Sequence, residues 1–553
     1  MIGKIIVSTT LTLTTALGFA QTTGSKKSEF IVLDQVKRFL TEENWEGAAF
    51  AADKILTGKP ANSTFNYYGG IANINAKNYK LGFEQIRTAA SDQLEKFKDI
   101  DFWRGRAFLG IQEPDSALAY FNKYKAGGGK APQYTFGFTV DYYIAQMENA
   151  KRYMASPVKA TFKNMGDKIN DEDDDVAPSL NTEGDLLVFT SRRNSNIGGK
   201  TDPNDGRPYQ DIWISRMDTA TGQWGEAENL VKMNTEGHEA NMSISPDGNT
   251  IFIYKNVGDN TGSGDIWYSR TKGDPTDWSR PREFEGAFNS SYFETSAYLA
   301  PGGKVLYFVS ERPDGKPSYG SGDIWMCERL NRKEWKKPVN LGGLINSKYD
   351  EISVTVHPNG KTIFFSSNSD KSMGGYDIFK SDLVNGKWTE PVNLGYPINT
   401  MGDEIHFTIS ADGKKAFMAA VRPEGFGRYD LYELDLSQYD MGADHADANK
   451  GAASGGAVLS VLKGKLINPV TGTTGTGETT LTITVSDAET GAEAGKTESD
   501  ENGNYFLTLE GGKKYKITVT GEGLKTINDE FFLGKRASGQ PFTLSKSYYL
   551  EKQ

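Results

Sequence analysis

Five acidic residues occupy one recurring place in this sequence. Asp175, Glu239, Glu294, Glu351 and Glu404 each head a short segment rich in apolar and β-branched residues, at intervals of 53 to 64 positions, in a chain region whose repeats have a period near 54. Carboxylates gathered around one axis lower the local potential, so such a ring would take a cation or a basic peptide. The same repetition would arise if each carboxylate accepted hydrogen bonds from backbone amides of a neighbouring unit, because a position repeated in every copy of a fold often serves the fold. Both readings are carried forward. They apply equally to the aspartates that open Asp211-Ile212-Trp213, Asp265-Ile266-Trp267, Asp323-Ile324-Trp325, Asp377-Ile378-Phe379 and Asp430-Leu431-Tyr432.

Other chemistry has little foothold. His238, His357, His406 and His445 are scattered, and none forms the His-Glu-x-x-His pair of a zinc helix. No Gly-x-Ser-x-Gly nucleophile elbow, phosphate-binding glycine loop or dinucleotide fingerprint is present. The acidic stretches 171–175 and 202–207 lack the alternating carboxylates and distal glutamate of a calcium loop. A single cysteine, Cys327, excludes a disulfide framework or a cysteine-rich metal site. The segment Ser245-Pro246-Asp247-Gly248 is similar to the Asp-box of sialidases, yet glycine follows the aspartate directly and no aromatic closes the motif. The expectation is a protein that is no enzyme and holds no cofactor and no catalytic metal.

The elements that carry the carboxylates are strands. Turn signals recur at Glu183-Gly184, Asp247-Gly248, Gly302-Gly303, Asn359-Gly360 and Asp412-Gly413, each followed by an apolar strand such as 250–254 or 362–366. A tryptophan with a following short segment marks a further strand at Trp224, Trp278, Trp335 and Trp388. The fifth copy lacks that mark, while Phe162 to Asn170, upstream of the first turn, aligns with Pro391 to Asn399; a strand supplied from the N-terminal side would close a ring of sheets. These repeats resemble the WD40-like propeller repeat of the TolB type, which implies a five-bladed β-propeller over residues 158–436.

Between Phe30 and Ala155 the apolar spacing is helical, and the segment from Gly70 to Ile86 aligns with that from Gly105 to Phe121 at a shift of 35 residues. Small residues recur at Ala48, Gly82 and Ala117, where two helices of a hairpin would cross closely, and Trp45 and Tyr79 precede the first two by three positions. The pattern resembles tetratricopeptide repeats, about three of them, over residues 29–155. It implies either a groove for a partner segment, with Tyr67, Tyr68 and Trp103 as contact aromatics, or a packed platform that caps the next domain.

Residues 437–457, rich in Ala, Gly, Ser and Asp, read as a linker, and residues 458–553 as a small β-sandwich of alternating strands separated by glycine turns. Gly464 to Asn468, the Asp500 to Tyr505 turn and Lys514 to Val519 resemble the carboxypeptidase regulatory-like domain, an accessory module. At the other end Lys4, the uncharged run from Ile5 to Leu17 and Gly18-Phe19-Ala20 read as a signal peptide over residues 1–20, cleaved after Ala20 and without a lipoprotein cysteine. With 553 residues, 61 glycines and a formal charge of −10, the chain is expected to hold several turn-rich domains and to avoid nucleic acid, because phosphate backbones demand clustered Lys and Arg. No stretch is apolar enough to span a bilayer.

Signal peptide, tetratricopeptide-like helices, WD40-like propeller and regulatory-like sandwich, in that order, resemble the periplasmic OmpA-family envelope proteins of Bacteroidetes, including the type IX secretion-associated member. The resemblance implies a periplasmic scaffold that joins envelope or outer-membrane proteins. The OmpA-type domain that clamps peptidoglycan does not follow here, so no direct hold on the cell wall is expected. A second reading is a propeller that binds glycan or peptidoglycan fragments through Trp213, Trp267 and Trp325.

Overall fold

The computed structural model describes residues 26–553 apart from 93–95, 136, 203–206, 256–263, 272–273, 314–321, 332–333, 423, 442–457, 469–479 and 537–539. The signal-peptide reading and most of the linker lie outside the described residues. Seven helices come first: α1 (Lys26–Thr41), α2 (Trp45–Leu56), α3 (Ser63–Asn75), α4 (Tyr79–Asp92), α5 (Ile100–Gly110), α6 (Pro114–Ala126) and α7 (Val140–Met154). Asn62 starts α3 by accepting from the Thr64 and Phe65 amides at 3.1 and 3.2 Å, and Pro114 opens α6, where a missing N–H costs nothing. The small residues sit where helices cross: a β-carbon on Gly82 would lie 2.8 Å from Ile74, and one on Gly105 would lie 2.6 Å from Phe121. Each hairpin turn passes through a left-handed residue, Glu43, Lys77 and Gln112, with φ of 58°, 70° and 66°.

Five antiparallel sheets of four or five strands follow, built from residues 161–435. Their first strands, Asp175–Leu180, Glu239–Ile244, Glu294–Leu299, Glu351–Val356 and Glu404–Ile409, each touch the first strand of the next sheet, and the fifth touches the first, which gives a propeller-like ring. One rim holds the starts of these strands. The other holds the glycine turns, where Gly184, Gly248, Gly303, Gly360 and Gly413 all take positive φ.

Thr161–Asn164 closes the ring by pairing antiparallel with Asp430–Asp435 as the outermost strand of the fifth sheet. Asn170 supports the closure: its carboxamide accepts from the Leu431 amide at 2.8 Å and donates to the Leu431 carbonyl at 3.0 Å. Asn234, Asn289, Asn346 and Asn399 clasp Ile212, Ile266, Ile324 and Ile378 in the same manner in the other four sheets. Replacing Asn170 by Ala leaves the buried Leu431 amide unpaired, while the Leu431 carbonyl keeps the Met165 amide at 3.1 Å, and a loss of about 1–3 kcal/mol is expected in urea unfolding. An unchanged midpoint would show that the clasp contributes nothing.

The helices sit on the strand-start rim. Buried Met373 and Met401 of the ring join the helical core, and the Tyr142 hydroxyl donates to the Asn368 carbonyl at 2.7 Å. Two hairpin turns reach across the joint: Lys77 pairs with Asp403 at 2.9 Å, and the Gln112 carboxamide oxygen accepts from the Met401 amide at 3.1 Å. Arg428 lies among three acceptors there, namely Asp174 at 2.7 Å, Glu46 at 2.5 Å and the Ala76 carbonyl at 3.0 Å.

Beyond the ring two further sheets pack around Leu462, Ile483, Leu507 and Ile517. One contains Leu459–Ile467, Asn504–Glu510, Thr543–Ser545 and Tyr548–Tyr549; the other contains Thr482–Asp487, Glu493–Glu498, Lys513–Thr520 and Ile527–Leu533. This sandwich is seated on the turn rim, where Thr508 donates to the Pro358 carbonyl at 2.9 Å and Thr543 to Glu183 at 2.9 Å. No helix among the described residues is long and apolar enough to cross a membrane.

Candidate functional site

The five repeated carboxylates are all buried, and each is satisfied within its own sheet. Glu239, Glu294, Glu351 and Glu404 each accept from the amide and the hydroxyl of the residue four positions earlier, Thr235, Ser290, Ser347 and Thr400. Asp175 accepts from the Asp171 amide at 2.8 Å. Their own amides donate to carbonyls of the preceding sheet, from Glu239 to Gln210 at 3.0 Å through Asp175 to Tyr429 at 2.9 Å, which staples sheet to sheet around the ring. No group of three metal-ligating side chains forms among the described residues.

Four of the five also face a cation. Arg193 lies 3.0 Å from Asp175, Lys255 2.7 Å from Glu239, Arg312 2.9 Å from Glu294 and Arg422 3.6 Å from Glu404. In the fourth sheet Ser369 stands where the arginines stand, two residues beyond the strand end, and Glu351 has no cation partner among the described residues. Burial pushes the Glu351 carboxyl up to about 8, opposed only by hydroxyls and an amide. Burial also raises Asp175 and Glu404 to about 7, against the pull of Arg193 and Arg422.

The aspartates of the third strands are likewise occupied. Asp211, Asp323, Asp377 and Asp430 accept from the carboxamides of Asn229, Asn340, Asn393 and Asn164 at 2.6–2.9 Å. In the second sheet Glu283 holds the register position of those asparagines, opposite Trp267.

Two sets of aromatics proposed from the sequence as contacts are packing residues instead. Trp103 has no exposed surface, meets Phe102 edge to face at 5.3 Å and donates its indole N–H to Asp99. Tyr67 is buried, stacked on Phe97 at 4.0 Å, with its hydroxyl on Asp99; only Tyr68 remains half-buried, beside Tyr134 and Lys37. The helical spacing marked an apolar face but not which helix would cover it. Trp213 and Trp325 are also buried, capped by the guanidiniums of Arg193 and Arg312 at 4.3 and 5.6 Å, and Trp267 packs half-buried on the core between the first two sheets. None of the three tryptophans offers a platform to a sugar ring.

An opening with room for a ligand lies elsewhere among the described residues, between the turn rim of the first three sheets and the sandwich. This cleft has a volume of about 650 Å³, within the roughly 300–1,000 Å³ common for small-molecule sites. Lys463 reaches Glu183 across it at 2.6 Å, Arg270 reaches Glu501 at 2.7 Å and Lys304 reaches Glu498 at 3.4 Å. Five cations and six carboxylates line it, so its net charge is close to zero. Asn502, Ser545 and Lys465 line it with side chains that bond to no other described residue, and Phe506 adds a half-buried ring. The turn signals at Glu183, Asp247 and Gly302 and the segments around Lys465 and Asn502 were legible as turns and strands, but nothing in the sequence brings them together, since the cleft exists only where two domains meet.

No protein-family model and no curated protein matches the chain. The chain is similar to several solved structures. The Bombyx mori GH32 beta-fructofuranosidase is 12% identical, covers 70% of this chain and 93% of its own, and has a TM-score of 0.31. The alpha-L-arabinofuranosidase from Lactobacillus brevis is 16% identical over 47% of this chain and 89% of its own, with a TM-score of 0.31. The Trypanosoma rangeli sialidase is 11% identical over 66% and 77%, with a TM-score of 0.29. The expectation that the chain is no enzyme is withdrawn, the structures it is similar to being named as enzymes; no activity of this chain follows from them. That expectation rested on the absence of contiguous motifs, whereas a site on a ring of sheets can be assembled from single residues of separate strands.

Proposed function

We propose that this protein binds glycans, with the five sheets forming a five-bladed β-propeller and the cleft beneath the sandwich as the binding site. The observation that carries the reading is the composition of the cleft. Sugars present hydroxyls that both donate and accept, and they carry little charge; a near-neutral wall of amides, hydroxyls and paired ions answers that chemistry, whereas a phosphate or nucleic-acid site would be strongly basic. The helical platform covers part of the opposite rim and leaves the turn rim to the ligand. An exported, cell-envelope location is proposed with it, on the strength of the N-terminal residues and the order of domains.

The test is titration calorimetry of the full-length protein with chitobiose and chitotetraose, beside a variant in which Asn502→Trp fills the cleft. Binding by the native protein and at least a tenfold loss in the variant, roughly 1.4 kcal/mol, is the expected result. Equal binding by both proteins would move the site away from the cleft, and the absence of binding would end the glycan reading.

A further inference from the structure

We infer that the glycan held in the cleft carries a single carboxylate and that the Lys465 ammonium pairs with it; this rests on the glycan reading above. The argument starts from the charges that line the cleft. Lys463, Arg270 and Lys304 are each neutralised by a carboxylate of the facing domain, Glu183, Glu501 and Glu498. Arg329 turns to the Asn331 carbonyl and lies over the Trp335 ring. On the acidic side Asp185, Asp247 and Asp500 are capped within their own turns by Asn181, Asn249 and Asn504. Lys465 remains. It is exposed, stands in register beside Asn504 on the sandwich wall, and its ammonium has no acceptor among the described residues.

An unpaired ammonium in a polar cleft favours a ligand that brings one negative charge to it, because a charge-assisted hydrogen bond is about twice as strong as a neutral one. The three turn carboxylates set the upper limit. A doubly charged phosphate would be repelled strongly by Asp185, Asp247 and Asp500, whereas a single carboxylate on an otherwise neutral sugar meets about half of that repulsion and pairs with Lys465. Acidic sugars of the uronic or lactyl-ether kind have this chemistry.

Two disaccharides that differ only in a lactyl carboxylate separate the possibilities: N,N′-diacetylchitobiose, and N-acetylglucosamine linked to N-acetylmuramic acid. Titrated into the full-length protein at low ionic strength, the carboxylated sugar is expected to bind about tenfold more tightly. With Lys465→Met the two sugars are expected to bind equally, and chitobiose as it does to the native protein. An exposed side chain carries little of the fold, and an unchanged melting temperature verifies this. Equal affinities in the native protein, or a preference that survives Lys465→Met, would overturn the inference while leaving the glycan reading in place. Failure of both disaccharides to bind overturns the two together.

Discussion

Replacing Arg428 by Met is expected to weaken the protein by roughly 3–5 kcal/mol, the usual cost of removing one partner from a buried ion pair. The guanidinium serves three acceptors from two domains, so its loss takes a partner from Glu46 and the Ala76 carbonyl on the helical side and leaves Asp174 with Arg207 as its cation and the Tyr429 amide on the ring. Burial alone would raise the Asp174 carboxyl, yet Arg428 and Arg207 hold it well below the usual range; Lys77 and the Tyr429 hydroxyl likewise hold Asp403 down to about 2. Because these folded-state values are depressed, the stabilisation is complete above the ordinary carboxylate value of 3.8 and is lost as pH falls toward 2. Urea unfolding should show a lower midpoint for the variant, and hydrogen exchange should show earlier opening of α2 and α3 than of the ring. The exposed pair Lys232–Asp277 is the control, where Lys232→Met should change nothing measurable. If Arg428→Met leaves both the midpoint and the exchange of α2 and α3 untouched, the joint is not held by this network.

The second large effect concerns Glu351. Its folded-state carboxyl lies near 8 against an ordinary value of 4.5, so the neutral acid is the form the fold prefers. The sign follows directly. The group's contribution is fully present below pH 4.5 and is lost as pH rises through about 8, because the unfolded chain releases the proton that the folded chain retains. Glu351→Gln keeps one acceptor oxygen for the Ser347 and Ser367 hydroxyls, loses the one that takes the Ser347 amide at a cost independent of pH, and removes the titration, so the variant should gain on the native protein as pH rises. By pH 9 the difference should reach a few kcal/mol. Glu294→Gln is the contrasting case: it strips the counter-charge from Arg312, which is 12% exposed, and should destabilise at every pH, by roughly 3–5 kcal/mol. Thermal unfolding from pH 5 to pH 9 distinguishes them. Parallel curves for the native protein and Glu351→Gln would mean that the carboxylate finds a cation or water that keeps it charged.

What the sequence revealed and what it hid divide along a physical line. Local signals were strong: a glycine that must take positive φ, as at Gly248 and Gly413, names its turn, and the small residue at Gly82 names a helix crossing. The carboxylate clasp was also written in the spacing, since Thr235, Ser290, Ser347 and Thr400 stand four residues before their glutamates, although that regularity gains meaning only beside the bonds it makes. Contacts between domains leave no period. Nothing in the pattern around Met373 and Met401 told that they would enter a helical core, nor that Tyr67 and Trp103 would be buried, nor that Lys465 would face three propeller turns. The site is correspondingly less legible than the fold, because two surfaces with separate sequence logic create it.

The clasp between Asn164 and Asp430 joins residues 266 positions apart, and this sets an order of events during synthesis. A ribosome adding about 5–20 residues per second needs roughly 15–50 s to make the intervening chain. Throughout that interval the segment 161–164 has no partner strand, while the helices before it are complete and free to fold as a unit. Bringing such distant ends together carries the entropy of a very long loop, which the intermediate sheets reduce only as they stack one by one. The last sheet is therefore the step at which a slowly made or prematurely released chain would be caught with an open edge, ready to pair with a neighbouring copy. A chaperone that shields nascent chains would have its greatest effect on yield between the third sheet and the fifth.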